Sequence, residues 1–311
     1  MATEDAPEGT DRLPPEDPAR DAAADYDYRS PDVDRPAMVE ELSARVDGEV
    51  RFDDYSRQLY ATDASAYEVL PVGVVFPRST ADVSAVLSYC AARDTPVLPR
   101  GGGTSLAGQT VNEAVVLDFT RYMDDVVDVD PDARRATVQP GAVLGELNGD
   151  LAEHDLKFAP DPAWGDKSAV GGAIGNNSTG AHSLVYGKTD AYLERCEVVL
   201  ADGTVTEFGE VTVEELAERA GADGLEGQIY ATVHRILEEE TDAIDDAFPD
   251  LTRNVSGYNL DRLVAEARGS LRGETDEREA AEAAATRLGD AGTVNLARLL
   301  AGSEGTLAVV T

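Results

Sequence analysis

Lysine is nearly missing from this 311-residue chain, which holds Lys157, Lys167 and Lys188 and no other. With 26 basic against 61 acidic residues the formal net charge is −35. A polyanion of that size is repelled by nucleic acid and by anionic lipid, so non-specific binding to either is disfavoured and no nucleic-acid partner is expected. The acidic residues are scattered along the chain rather than gathered in a tail. Their mutual repulsion destabilises a compact state at low ionic strength and is screened by salt, a pattern that fits the cytoplasm of a salt-accumulating halophile.

Other shortages narrow the field further. Cysteine occurs only as Cys90 and Cys196, far apart and inside apolar patterns, which reads as two core thiols rather than a disulfide or a metal pair. The three histidines, His154, His182 and His234, never stand four residues apart, so a helical zinc motif is excluded and no metal is expected. No apolar run approaches the roughly 20 residues of a transmembrane helix. The start, Met1-Ala2-Thr3-Glu4-Asp5, lacks the basic and apolar regions of a secretory signal, and the expected location is cytoplasmic.

What is present supports a sizeable core, because hydrophobic residues make up 42% of the chain. Residues 1–36 stand apart: rich in Asp, Glu, Pro and Ala, they read as an acidic disordered arm. A helix is expected from Pro36, with Met38, Leu42 and Val46 on one face. Val72–Phe76 reads as a buried strand, and Thr80 as the N-cap of a helix burying Val83, Val86, Leu87 and Cys90. Pro96–Pro99, Ala114–Asp118, Asp125–Val129 and Arg135–Val138 are strand-like, and Pro140-Gly141-Ala142 opens a helix through Leu144, Leu147 and Leu151. Cys196–Leu200 and Thr204–Phe208 flank Asp202-Gly203, the strongest hairpin signal in the chain. Residues 211–220, 226–240 and 259–290 read as charged helices. The β-branched run that closes on Thr311 reads as a chain stopping inside a fold.

Three glycine-bearing motifs carry the chemistry. The first, Arg100-Gly-Gly-Gly-Thr-Ser-Leu-Ala-Gly-Gln109, follows a strand, and its uncovered backbone can form a nest of N–H groups around an anion. The second is Val170-Gly-Gly-Ala-Ile-Gly-Asn-Asn-Ser-Thr-Gly180, and the third is Gly302-Ser-Glu-Gly-Thr-Leu-Ala-Val-Val310. A nicotinamide dinucleotide fingerprint fails, because Leu106 stands where the third glycine belongs. A P-loop fails because Ala181-His182 replaces the Lys and Ser/Thr that hold phosphate and Mg²⁺. A G-x-S-x-G nucleophile elbow is missing around Ser105 and Ser178. His182, next to the second motif, reads equally as a structural hydrogen bonder or a catalytic group. Several loops offering N–H groups and small hydroxyls suit a large ligand with a pyrophosphate and a flat polar ring.

In this order and spacing the three motifs resemble the FAD-binding domain shared by vanillyl-alcohol oxidase and p-cresol methylhydroxylase. Within it they are most similar to FAD-linked D-lactate and D-2-hydroxyglutarate dehydrogenases. Thr62-Asp63-Ala64-Ser65, Val75-Phe76-Pro77-Arg78, Ala201-Asp202-Gly203-Thr204 and Ser256-Gly257-Tyr258-Asn259-Leu260 add to the likeness, which covers roughly residues 38–311. The resemblance implies an α+β fold of two subdomains over residues 37–311 with FAD between them, and a substrate cap that follows the third motif in the family. It implies that Arg100, Gly101, Gly102, Gly103, Thr104, Ser105 and Gln109 cradle the pyrophosphate. Pro160, Asp161, Ser168, Gly171, Gly172, Asn176, Asn177 and Gly180 would line the flavin and its chain, with Glu304, Gly305 and Val309 on the far side. Some relatives bind FAD covalently through a histidine after the glycine triplet; Thr104 stands there, so FAD is expected to be noncovalent. The implied reaction moves a hydride from C2 of a D-2-hydroxy acid to flavin N5, with electrons leaving to a separate acceptor such as an iron–sulfur domain or subunit. The alternatives are an FAD-binding fragment without turnover, and a non-redox transferase of the alkyl-dihydroxyacetone-phosphate synthase type. No catalytic base is identified.

Overall fold

The computed structural model describes residues 35–268 and 292–311, apart from 182, 250, 252–253 and 256. The expected acidic arm (save its last two residues), His182, and the stretch of the 259–290 helical segment from 269 onward lie outside the described residues.

The described residues begin with α1 (Pro36–Ser43), where proline at the first turn lacks only an N–H that would have no partner, and Met38, Val39 and Leu42 are buried. An edge strand β1 (Glu49–Arg51) leads to α2 (Asp54–Leu59), capped by Asp53, whose carboxylate accepts the Ser56 N–H at 2.9 Å. Next come β2 (Gly73–Phe76) and α3 (Thr80–Ala91), then β3 (Val97–Arg100) and β4 (Val115–Asp118). The cap of α3 is Ser79 rather than the expected Thr80: the Ser79 hydroxyl accepts from Asp82 N–H at 3.3 Å, and Thr80 is already helical. Two adjacent hydroxyls give the sequence no basis for choosing between them.

These strands form a sheet in the order β1-β2-β4-β3, with β2, β4 and β3 parallel and β1 antiparallel at the edge. Parallel neighbours need a crossover of about a dozen residues or more. Helix α3 carries the chain from β2 across to β3, the two strands that flank β4. Between β3 and β4 the crossover is the first glycine motif itself, which therefore leaves the sheet at the carboxyl end of a strand, where open α/β sheets bind ligands. Alternation along the strands sends Val75, Val115 and Leu117 to a core with α1 and α3, and Val74, Phe76 and Val116 to the opposite face.

The hairpin β5 (Val126–Asp130) and β6 (Arg135–Val138) packs with α4 (Leu144–Ala152), whose Leu144, Leu147 and Leu151 are buried as expected. Then follow the short helices α5 (Val170–Gly175) and α6 (Ser183–Tyr186) and a 3₁₀ turn at Thr189–Tyr192. The second subdomain contains β7 (Cys196–Val199), β8 (Val205–Phe208), β9 (Glu210–Thr212), α7 (Val213–Arg219), α8 (Gly224–Glu239), α9 (Thr241–Ala247) and α10 (Leu260–Ala267). It closes with β10 (Thr293–Asn295), α11 (Ala297–Leu300) and β11 (Val309–Val310). The β7–β8 hairpin turns at Asp202-Gly203, with Gly203 at φ 90°. Strand β11 pairs antiparallel with β7. Val199 and Val309, facing each other across that pair, also belong to the first core, which seams the two subdomains together. The fold is thus α+β with two subdomains, as expected. Strand β9 and helix α9 escape the sequence, since three residues of strand and seven of acidic helix carry too little hydrophobic period to register.

Both cysteines are buried. Burial pushes the Cys90 thiol up to about 11; burial, with Glu207 adding, pushes Cys196 up to about 12. The thiolate is the reactive species. At pH 8 a disulfide-exchange reagent is therefore expected to leave the folded protein unmodified and to titrate both thiols after denaturation; rapid labelling of the folded form would contradict this burial. Among the described residues no helix is long and apolar enough to cross a membrane.

Candidate functional site

The glycine triplet of the first motif is a packing device. A Cβ on Gly101 would lie 2.7 Å from the Ala169 Cβ, and one on Gly102 only 1.9 Å from the Lys167 carbonyl oxygen. Gly103, at φ 63°, would put its Cβ 2.6 Å from Arg100 Nη2. The first motif thus lies backbone against backbone on residues 167–169, just ahead of the second, and Thr104 Oγ1 meets Ser168 Oγ at 3.1 Å.

Arg100 anchors the loop. Its guanidinium donates to the carbonyls of Tyr60 (3.2 Å), Thr110 (3.0 Å) and Thr62 (2.8 Å). Burial lowers its pKa, while Tyr60, Asp118 and Asp63 pull the other way. Asp63 accepts from Thr110 Oγ1 at 3.0 Å and from Ser65 N–H at 2.8 Å. Burial raises the Asp63 pKa, but these hydrogen bonds outweigh it and leave the carboxyl below its ordinary value. The Thr62–Ser65 block therefore fastens both ends of the loop, and Ala64 N–H reaches the Gly103 carbonyl at 3.1 Å.

The third motif closes the arrangement. Gly302 N–H donates to Ile174 O (3.1 Å) and Glu304 N–H to Gly175 O (2.9 Å), tying it to the second motif. A Cβ on Gly305, at φ 76°, would sit 2.7 Å from Pro99 Cγ, beside the first. Gln109 Nε2 donates to Glu304 Oε1 at 3.2 Å, spanning from the first motif to the third.

Between the three lies a groove with about 690 Å³ of empty space, part of it open to solvent. Of the residues expected at the site, Arg100, Gly101, Ser105, Gln109, Gly171, Gly172, Asn176, Glu304 and Gly305 line it. Gly102, Gly103, Thr104 and Ser168 are not in the lining, and Thr104 and Ser168 meet each other instead. Pro160, Asp161 and Gly180 gather elsewhere, a Cβ on Gly180 falling 1.9 Å from the Asp161 carbonyl oxygen. Val309 is buried in β11. Asn177 is fully buried at φ 47°, its amide donating to Asn259 Oδ1 (3.3 Å) and accepting from Asp190 N–H (3.0 Å). Sequence reasoning missed the apolar floor of Phe119, Ile174, Leu300, Ala308 and Val310. Phe119, Ile174, Leu300 and Ala308 are buried, and nothing in their local pattern marks them as groove positions.

Two properties define what the groove can bind. Among the described residues, no acceptor is found for the backbone N–H groups of Gly101 to Leu106 or of Gly172. A run of N–H donors without protein acceptors on a glycine-rich loop is the kind of backbone from which anion nests are built. Among the described residues, Arg100 and Glu304 are the only ionisable side chains in the lining, and Arg100 is committed to carbonyls, so the described walls offer chiefly hydrogen bonds and apolar contact. The donor set fits a pyrophosphate, and the floor fits a flat ring.

The fold and groove define a nucleotide-cofactor domain, and comparison with known proteins specifies the cofactor. Residues 71–209 match the family model of an FAD binding domain, and this part of the chain is an FAD-binding domain. The chain is 34% identical over 259 residues to D-2-hydroxyglutarate dehydrogenase of Escherichia coli K12, a match over 82% of this chain and 23% of that protein. It is 34% identical over 216 residues to the glycolate oxidase subunit GlcD of the same organism, covering 67% of this chain and 43% of the relative. It is 32% identical over 163 residues to the mitochondrial D-lactate dehydrogenase (cytochrome) 1 of Saccharomyces cerevisiae, covering 51% and 27%. The chain spans about a quarter of the length of the D-2-hydroxyglutarate dehydrogenases that it matches.

Proposed function

We propose that this chain holds one FAD noncovalently in the groove, as the flavin-binding part of an oxidoreductase acting on a D-2-hydroxy acid such as D-lactate or D-2-hydroxyglutarate. The observation that carries the reading is the row of free N–H groups from Gly101 to Leu106, with Gly172 N–H opposite. These would hold the pyrophosphate with neutral donors, which matters in a chain whose net charge of −35 repels an anionic ligand. Ser105, Gln109 and Asn176 offer polar groups for the cofactor's hydroxyls, and Phe119, Ile174 and Leu300 an apolar bed for its ring. Thr104, whose hydroxyl is spent on Ser168, supports a noncovalent attachment. The named activities of the relatives support a 2-hydroxy acid as substrate. When bound, the flavin supplies the two-electron acceptor for oxidation at carbon 2. A separate acceptor then takes the electrons, in a cytoplasm whose high salt the acidic composition suits.

The test is anaerobic addition of D-lactate, D-2-hydroxyglutarate or glycolate to the flavin-loaded protein in molar salt. Loss of the oxidised-flavin absorption band with one of them is the expected result. A flavin that reduces with dithionite but with none of the three would refute turnover by this chain. It would favour a flavin-binding portion that needs residues outside it, a reading that the short span relative to the relatives also supports.

A further inference from the structure

We propose that the segment Gly257–Asn259 holds the third motif closed on the second, and that Tyr258 and Asn259 are thereby positioning residues for the cofactor. This rests on the reading of the groove as an FAD site. Neither residue lines the groove; Tyr258 reaches its wall through Thr306 and Ser303, and Asn259 holds backbone and side chain next to it.

Asn259 is buried and uses both ends of its amide. Its Nδ2 donates to Ala301 O at 2.8 Å and to Arg298 O at 3.4 Å, on the approach to the third motif. Its Oδ1 accepts from Asn177 Nδ2 in the second motif at 3.3 Å and from Lys188 Nζ at 3.2 Å. A single side chain therefore spans both motifs, and Lys188, which also donates to Asn254 O at 2.7 Å, fixes its orientation.

Tyr258 reaches the other end of the third motif. Its hydroxyl lies 2.7 Å from Thr306 Oγ1, and Thr306 Oγ1 donates to Ser303 O at 2.6 Å. With the threonine proton spent on Ser303, Tyr258 is the donor. The chain Tyr258–Thr306–Ser303 ends at a residue of the groove wall. Gly257 completes the clamp: a Cβ on Gly302 would come within 2.3 Å of the Gly257 carbonyl oxygen, so the two segments meet backbone to backbone. Residues 257–259 thus grip positions 301, 302 and 306, on either side of the groove-lining Ser303-Glu304-Gly305. Such a clamp sets how well the wall is pre-organised, and pre-organisation sets affinity.

The experiment uses the whole chain in molar salt, stripped of flavin, and reads FAD affinity by quenching of flavin fluorescence, alongside the thermal midpoint of the flavin-free protein. Tyr258→Phe removes one hydroxyl and is expected to raise Kd about five-fold. Thr306→Ala should do the same, the double variant no more than either alone, and Thr306→Ser should bind as wild type does. Asn259→Ala, which strands buried partners on both motifs, is expected to raise Kd about thirty-fold or more. Should Asn259→Ala fail to fold, Tyr258→Phe and its cycle with Thr306 decide the matter. Variants that lose thermal stability yet bind FAD as tightly as wild type would overturn the positioning role and leave the FAD site standing. A folded wild-type protein that takes up no FAD would overturn both.

Discussion

Gly102→Ala is expected to cost the protein its cofactor. The new Cβ would fall 1.9 Å from the Lys167 carbonyl oxygen, a contact that only displacement of backbone can relieve. Overpacking of this kind costs about 1–3 kcal/mol in stability. The larger consequence is for binding, since the first motif must move off residues 167–168 and its N–H groups no longer converge. Loss of two well-placed hydrogen bonds to an anionic group is worth about 3 kcal/mol or more, roughly a hundred-fold in FAD affinity. Gly172→Ala provides the contrast. A Cβ there meets nothing within 4 Å, so the flavin-free protein should be unharmed, and a methyl group at the groove should still weaken FAD. Fluorescence titration paired with thermal unfolding separates the two. An unaltered FAD affinity in Gly102→Ala would refute the tight docking of the first motif on residues 167–168.

Glu266→Ala should give the largest loss of stability. Glu266 is 2% exposed, ion-paired and hydrogen-bonded to Arg298, itself 6% exposed, and its Oε2 accepts Asn295 N–H at 3.0 Å. Removing one partner of a buried pair leaves the other charge uncompensated, at a cost of about 3–5 kcal/mol. Here the change would take a carboxylate from two cations, Arg262, whose Nε lies 3.6 Å from Glu266 Oε1, and Arg298 in α11, the helix that leads directly into the third motif. Urea denaturation in molar salt measures the loss. The double change Glu266→Met with Arg298→Met should recover most of it, because a well-packed apolar pair often replaces a buried ionic one without penalty. A loss below about 1 kcal/mol for Glu266→Ala would show that water reaches the pair.

How far the site could be read from the sequence depended on what each residue does there. The glycine motifs were legible only as a set: a Gly triplet after a strand is by itself most simply a surface turn, and three motifs in the order and spacing of an FAD-binding domain give it a role. Their mutual packing follows from the missing Cβ at Gly101, Gly102 and Gly305. Arg100 shows the limit. Beside an anion-binding loop its charge suggests a ligand contact, whereas its three carbonyl partners come from residues 60, 62 and 110, two of them distant in sequence. The buried charges were hidden for a different reason. In so acidic a chain, a solvated face is the sound expectation for any Asp or Glu, and nothing in the local pattern sets Asp190 or Glu266 apart. Yet Asp190 is fully buried, with Lys188 Nζ at 3.6 Å and Arg262 Nε at 3.7 Å. Asn177 lay inside a recognised motif, but its left-handed backbone and its tie to Asn259, 82 residues away, belong to the tertiary fold.

The central claim is that the loops of this chain build an FAD site. Its most direct measurement is the absorption spectrum of the purified, folded protein after equilibration with FAD in molar salt and removal of free ligand. One oxidised flavin per chain, released intact on denaturation, is the predicted result. Folded protein that emerges colourless would contradict it.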